Sequence, residues 1–276
     1  MTSPGIFGIL NITEDSFSDG GRYLDPAAAV AQARRLVAEG ADVVDIGAAA
    51  SNISAKPVPA AEEIRRLDGV ITALAGSGIA ISVDSFQPDA QRFAISRGVA
   101  FVNDIQGFPD PSVYPALAGS ACGLVVMHAV HGRGRAQQVE LDAATVWGNI
   151  DDFFTARIAG LEAAGIARQR LILDPGMGFF LSTRPEASLR ALAGIARLKA
   201  RFGLPVLVSV SRKSFLAAIT GRSGPGERGS ATLAAELFAA AEGVDYIRTH
   251  DPAALRDGLA VMPALAHEKR RLAEDA

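Results

Sequence analysis

Gly8-Ile9-Leu10-Asn11-Ile12-Thr13-Glu14-Asp15-Ser16-Phe17-Ser18-Asp19-Gly20-Gly21 joins an apolar run to a polar loop. The run begins at Ile6 and ends at Leu10; it is too short for a helix and reads as a buried strand. Asn11 closes it, and a loop of small, acidic and hydroxyl residues follows. A buried strand that empties into such a loop places side chains at its C-terminal mouth, where ligands bind in α/β folds. A single loop of this kind is equally an ordinary turn built from Ser, Asp and Gly. Recurrence along the chain decides between the two.

Apolar, β-branched runs recur at residues 6–10, 43–46, 79–83, 100–102, 124–127, 171–173, 206–210 and 246–247. Each is short and apolar throughout, the pattern of a parallel strand buried on both faces. Alanine-rich segments of helical spacing separate them. Asp25 and Pro26 predict the start of one, as N-cap and first-turn residue. Gly40, Gly98, Gly165 and Gly243 each stand where a helix must stop before the next strand. Eight strand–helix units in a chain of 276 residues predict a single-domain (β/α)₈ barrel over 1–276. A doubly wound open sheet is the alternative, weakened by the lack of an early G-x-G-x-x-G. Residues 129–142 read as a long βα loop, and 223–229 as a mobile, glycine-rich surface turn.

Composition narrows the function. Hydrophobic residues make up 49% of the chain, charged residues 21%, and the net charge is −3. No basic block is present, so nucleic acid is not an expected partner. No apolar stretch is long enough to span a membrane, and no signal-like N-terminus appears. Cys122 is the single cysteine and reads as structural, which makes a reducing cytoplasm the simplest location. No Cys/His cluster has zinc spacing.

Every predicted strand ends in polar or ionisable groups: Asn11, Asp45, Asp84, Asn103-Asp104, Met127-His128, Asp174, Ser211-Arg212-Lys213 and Arg248-Thr249-His250. In a barrel these converge on one face. Any one of them could be a helix cap, but eight of eight is hard to ascribe to capping, because buried charge is costly unless paired. A ligand would supply the partners. Asp84, Asn103 and Asp174 suit a flat, hydrogen-bond-rich heterocycle, and a carboxylate can meet an amino-pyrimidine edge through two parallel hydrogen bonds. Lys213, Arg248 and His250 lie on the last two strands, a common place for phosphate. Asn11 with the loop at 15–19 suits Mg²⁺ held mainly by substrate phosphates. The expected ligand is a planar polar ring carrying a phosphate or diphosphate.

NITEDSFSDGG at 11–21, VVDIG at 43–47, SVDSF at 82–86, VNDI at 102–105, LDPGMGF at 173–179, SRKS at 211–214 and IRTHD at 247–251 resemble the dihydropteroate synthase family, in order and from end to end. The resemblance implies a (β/α)₈ barrel, usually a homodimer. It implies condensation of 6-hydroxymethyl-7,8-dihydropterin diphosphate with p-aminobenzoate, with loss of pyrophosphate and with Mg²⁺ as cofactor. It implies a pterin pocket of Asp84, Asn103, Ile105, Met127, Asp174, Phe179 and Lys213. Diphosphate contacts would come from Asn11, Arg248 and His250 with Asp45 nearby, and Asn11 would also face the metal. Asn11, Asp84, Lys213, Arg248 and His250 are thereby the expected catalytic residues. Phe17, Ser51, Asn52, Ile53, Phe180 and Ser214 would border p-aminobenzoate.

The departures from the family pattern fall on the p-aminobenzoate side. Ala50, Ser51, Asn52 and Ile53 stand where the family usually reads Ser-Thr-Arg-Pro, Glu14 replaces a usual Pro, and Ser209 a usual Gly. Phe180-Leu181 replaces a small residue and Lys. These features, with NDIQGFPDP at 103–111, resemble the mobile sulfonamide-insensitive members or their chromosomal relatives, so reduced sulfonamide binding is expected. Two rival readings remain: a Schiff-base aldolase using Lys213, and a non-catalytic pterin-binding homologue.

Overall fold

The protein is described here by a computed structural model covering residues 3–13, 25–50, 56–131 and 136–275. Eight parallel strands follow one another along the chain: β1 (Gly5–Asn11), β2 (Val43–Gly47), β3 (Ala80–Asp84), β4 (Phe101–Asp104), β5 (Gly123–Met127), β6 (Leu171–Asp174), β7 (Leu207–Val208) and β8 (Tyr246–Thr249). They pair in the order β6-β5-β4-β3-β2-β1-β8-β7. Leu173 bridges to Val206, and its N–H donates to the carbonyl of Pro205 at 2.8 Å, which brings β6 to the start of β7 and rounds the sheet into a barrel. The open-sheet alternative is thereby set aside.

The helices are α1 (Pro26–Ala38), α2 (Ala60–Leu74), α3 (Pro88–Ser96), α4 (Tyr114–Ala118), α5 (Val146–Ala163), α6 (Pro185–Ala193), α7 (Ile195–Phe202), α8 (Ser214–Thr220), α9 (Gly229–Ala241) and α10 (Pro252–Glu274). The Asp25 carboxylate caps α1, accepting from the N–H groups of Ala27 and Ala28 at 3.4 and 3.2 Å. Helix α1 then stops at Gly40, whose φ of +103° few other residues adopt. Gly98, Gly165 and Gly243 end their helices in the same left-handed region.

Three apolar clusters hold the barrel. The largest lies between strands and helices and includes Leu36, Leu67, Val126, Phe154 and Leu198. Inside the barrel, Phe7, Val43, Val125, Ile172 and Leu207 fill the lower end. There the Phe7 ring meets Phe101 and Tyr246 edge-on at 5.1 and 5.5 Å. A Cβ on Gly123 would stand 2.5 Å from the Phe101 ring, so this plug needs glycine there. The third cluster, Ile105, Met127, Ala129, Ala136 and Phe180, sits at the upper mouth. The lower end is therefore packed shut, and the buried carboxylates of the strands, Asp45, Asp104 and Asp174, lie toward their C-terminal ends.

Register sets those groups on a level. Asn11 pairs with Gly47, Gly47 with Asp84, and Asp84 with Asn103. Gly47 leaves room between its neighbours: a Cβ there would come within 3.4 Å of the Asn11 Oδ1.

The segment at 223–229 is not a loose turn. A 3₁₀ turn spans Pro225–Arg228, and Arg228 is buried, donating to the carbonyls of Arg212, Arg222 and Ser223. Its glycine content concealed this anchor. No described helix is long and apolar enough to cross a membrane.

Candidate active site

The centre of the mouth is an ion cluster. Arg248 at the end of β8 donates through Nε to Asp45 Oδ2 at 2.5 Å and through Nη2 to Asp84 Oδ2 at 2.7 Å. Asp45 is fully buried, and its second oxygen has no hydrogen-bond partner among the described residues. Burial opposes the Arg248 charge, but Asp45 and Asp84 outweigh it and push its pKa upward. Burial pushes the Asp84 pKa up against the pull of Arg248, and the neighbouring Asp45 adds to the rise. The cluster carries two acids on one buried cation. It is thus poised to accept hydrogen bonds from a ligand while Arg248 stays charged.

Lys213 and Asp174 form the second part. Burial and the nearby Arg248 lower Lys213 to about 8, with Asp174 and Asp84 acting the other way. Burial raises Asp174 to about 6, opposed by the N–H of Gly176 and by Lys213. Asp174 Oδ1 accepts that N–H at 2.8 Å. The Lys213 ammonium lies 4.9 Å from the centre of the Phe180 ring, a cation–π contact.

His250 is the third part. Its Nδ1 lies 2.9 Å from the Ser211 Oγ, and its backbone N–H donates to the same oxygen at 3.2 Å. Burial, with the cations Arg212, Arg248 and Lys213 around it, holds its pKa well below the usual histidine value, so the ring is neutral.

Asn103 is buried with its Oδ1 unpartnered among the described residues, an acceptor that a ligand donor would satisfy. Ile105 and Met127 pack with Phe180 as one apolar wall, and Phe179 borders it. Phe180, expected beside the second substrate, thus shares a wall with the expected pterin residues. His131 stacks on the Phe180 ring, with centroids 5.9 Å apart. Leu181 is corrected: it is fully buried in the main core and offers no pocket wall. Ser214 begins α8, and its Oγ would lie 3.2 Å from a Cβ on Gly178, so it packs under the Phe179–Phe180 turn. Phe17, Ser51, Asn52 and Ile53, with Glu14 and the 15–19 loop, lie outside the described residues. Asn11 carries an uncharged amide oxygen to the level of Asp84. That donor suits a magnesium ion that keeps water and substrate phosphates among its ligands.

Several supporting contacts were not legible in the sequence. The Arg212 backbone sits at φ 59°, a strained position for a non-glycine residue. It is held there by its N–H on Thr232 Oγ1 at 3.0 Å and by Arg228 on its carbonyl at 2.7 Å. Asp104, read as part of a strand end, faces its own loop: it accepts from the N–H groups of Gln106 and Phe108 and from Gln91 Nε2, at 2.7, 3.0 and 2.8 Å. Glu63 on α2 is buried, and Gln87 donates to it. Burial raises the Glu63 pKa. Local sequence gave no signal for these pairs.

The fold and site define a class: a parallel (β/α)₈ barrel whose mouth pairs buried carboxylates with cations beside an apolar wall. The comparisons agree. A family model described as pterin binding enzyme matches residues 7–250. Dihydropteroate synthase type-2 of Escherichia coli is 60% identical over 265 residues, covering 96% of this chain and 97% of that protein. Dihydropteroate synthase of Xanthomonas albilineans, solved with 4-aminobenzoic acid, has 38% identity and a TM-score of 0.86, covering 96% of this chain and 93% of that one. The same enzyme solved with 7,8-dihydropteroate has 37% identity and a TM-score of 0.82, covering 96% and 95%. The chain belongs to the pterin binding enzyme family and, within it, to the dihydropteroate synthases.

Proposed function

We propose that the chain condenses 6-hydroxymethyl-7,8-dihydropterin diphosphate with p-aminobenzoate to give 7,8-dihydropteroate and pyrophosphate. The observation that carries the site assignment is the bridge of Arg248 between Asp45 and Asp84, with Lys213 between Asp84 and Asp174 in its electrostatic reach. Asp84 Oδ1, Asp174 Oδ2 and Asn103 Oδ1 are acceptors for the ring's N–H groups, and the Phe180 wall covers its apolar face. The bond that breaks joins a methylene carbon to a diphosphate oxygen. Its electron pair leaves with the diphosphate, and the ring spreads the positive charge left on carbon. The neutral aryl amine then attacks that carbon and sheds its proton. No protein nucleophile enters, so Lys213 acts as an ammonium that binds substrate.

Two groups stabilise the leaving diphosphate: Arg248, by charge, through the Nη1 that the carboxylates leave open, and His250, by a hydrogen bond, as a neutral donor. A Mg²⁺ ion, when bound, would add charge neutralisation at the diphosphate. Asn11 is the described side chain that would hold it.

On the p-aminobenzoate side, we propose that Phe180 excludes sulfonamides. It is only 6% exposed, and fixed between His131 and the Lys213 ammonium, so a bulky sulfonyl substituent cannot push it aside cheaply. We also propose a homodimer in the cytoplasm. The dimer's support is an exposed apolar set on α8, α9 and α10, namely Ile219, Phe238, Val261, Met262 and Leu265, on helices that pack side by side.

The test is pyrophosphate release by the purified protein. Release is expected only with both substrates, to be abolished by EDTA and to survive borohydride added with either substrate. Pyrophosphate release from the dihydropterin substrate alone, at the same rate, would contradict the condensation. Inactivation by borohydride would restore the aldolase reading.

A further inference from the structure

His250 faces the mouth with one ring nitrogen and is tied back with the other. The tie is Ser211, which is 5% exposed and follows β7, the neighbour of β8 in the sheet. Its hydroxyl oxygen receives the His250 backbone N–H at 3.2 Å. The same oxygen lies 2.9 Å from Nδ1. A hydroxyl has one hydrogen and two lone pairs. One lone pair is taken by the backbone N–H. If Nδ1 also carried hydrogen, it would fill the second, and the buried hydroxyl hydrogen would have no acceptor among the described residues. If Nδ1 is bare, Ser211 donates to it and every polar atom is satisfied. The second arrangement is favoured, because a buried unsatisfied donor costs free energy.

The consequence falls on Nε2. With Nδ1 bare and the ring neutral, Nε2 must carry the hydrogen. We propose that Ser211 is a positioning residue that fixes His250 as the Nε2–H tautomer, so that the imidazole donates a hydrogen bond to a phosphate oxygen without adding a charge. The inference rests on the reading of this site as a diphosphate site and adds to it the residue that sets the donor. The opposite tautomer would aim a lone pair at the anion and repel it. An imidazolium would be a further cation beside Arg212, Arg248 and Lys213, all of which disfavour it. A neutral donor also holds the departing pyrophosphate less tightly than another cation would, which favours its release.

His128 supplies an internal standard. Its Nδ1 lies 3.1 Å from the carbonyl oxygen of Pro175. A carbonyl only accepts, so His128 carries its hydrogen on Nδ1. The two residues should be opposite tautomers in one protein that has 4 histidines.

The experiment is a long-range ¹H–¹⁵N spectrum of protein labelled at histidine, recorded at neutral pH with no ligand. The His250 signals are assigned by through-bond correlation of the ring to the His250 backbone in the unmodified protein. The expected result is His250 as Nε2–H and His128 as Nδ1–H. A His250 signal of the Nδ1–H or imidazolium type in the unmodified protein would overturn the proposal, and this outcome does not depend on any variant folding. Ser211→Ala should shift His250 toward a tautomer mixture while His128 keeps its pattern. It should lower kcat/KM for the dihydropterin diphosphate about tenfold, the scale of losing an orienting partner, with the KM for p-aminobenzoate unchanged. Ser211→Thr, which keeps the hydroxyl, should restore both. An unchanged His250 pattern in Ser211→Ala would overturn the role of Ser211. Added inorganic pyrophosphate should move the His250 Nε2–H signal of the unmodified protein, and indifference to it would overturn the donor role. Because the free-protein spectrum involves no turnover, failure of the tautomer assignment is distinct from failure of the condensation.

Discussion

Arg248 donates through Nε to the fully buried Asp45 at 2.5 Å, although the two stand 203 positions apart in the chain. The pair joins β2 to β8 across β1 and fixes the guanidinium that must later face an anion. Removing one member of a buried pair strands the other charge.

Asp45→Ala is therefore expected to lower stability by about 3 kcal/mol, read as a shift in the denaturant midpoint at unchanged m-value. Asp45→Asn keeps the shape and one acceptor, so it should cost less stability yet still raise the KM for the diphosphate substrate. A midpoint within error of the parent for Asp45→Ala would show that the pair is solvated and that Arg248 is not fixed by it.

Asp84→Ala and Asp174→Ala should each remove pterin binding rather than only slow turnover. Each leaves ring donors unpaired in a buried site, at about 1–3 kcal/mol per group, which is about fivefold to 150-fold in affinity. Titration calorimetry with a pterin ligand reads this directly. Near-parental affinity in either variant would remove that residue from the pocket.

Substrate binding should depend on pH through Asp174 and Lys213. Asp174 accepts ring hydrogens when ionised, above about 6, and Lys213 is an ammonium below about 8. Binding should thus be best between those values and fall on both sides, and Lys213→Met should erase the alkaline limb and move the acidic limb upward, because Lys213 holds the Asp174 pKa down. Stability moves the other way at Asp174. Its folded pKa is raised from 3.8 to about 6, so its contribution is full below the lower value and lost as pH rises through the upper one. Asp174→Asn should accordingly gain thermal stability over the parent above that pH and not below the lower value. A pH-independent difference would contradict the burial of this carboxyl.

Phe180→Gly should make growth sulfonamide-sensitive in a strain that relies on this enzyme, while p-aminobenzoate still supports it. The expected discrimination by the parent is about 10²-fold, roughly 3 kcal/mol. Resistance persisting in Phe180→Gly would shift the discrimination to residues beyond this wall.

The barrel was legible because parallel strands buried on both faces announce themselves as short apolar runs, and glycine marks the helix ends between them. The run at 206–210 overshot: β7 holds only Leu207–Val208, because Val206 already bridges to β6 and Lys213 N–H turns back onto the Val210 carbonyl at 3.1 Å. Asp45, Asp84, Asp174 and Arg248 were legible by position at strand ends. Their pairing was not, since Arg248 could as well have faced solvent. Leu181 was misplaced because the 3₁₀ turn Gly178–Phe180 sends successive side chains to different surroundings, Phe180 to the mouth and Leu181 to the core. Arg228 and Ser211 act on distant partners, and no local pattern encodes such contacts.

The most direct test of the central claim is a single-turnover reaction with radiolabelled p-aminobenzoate, dihydropterin diphosphate and the purified protein. Label should pass into 7,8-dihydropteroate with one pyrophosphate released for each product formed. Label that stays in p-aminobenzoate, from protein shown by calorimetry to bind the pterin substrate, would contradict the account.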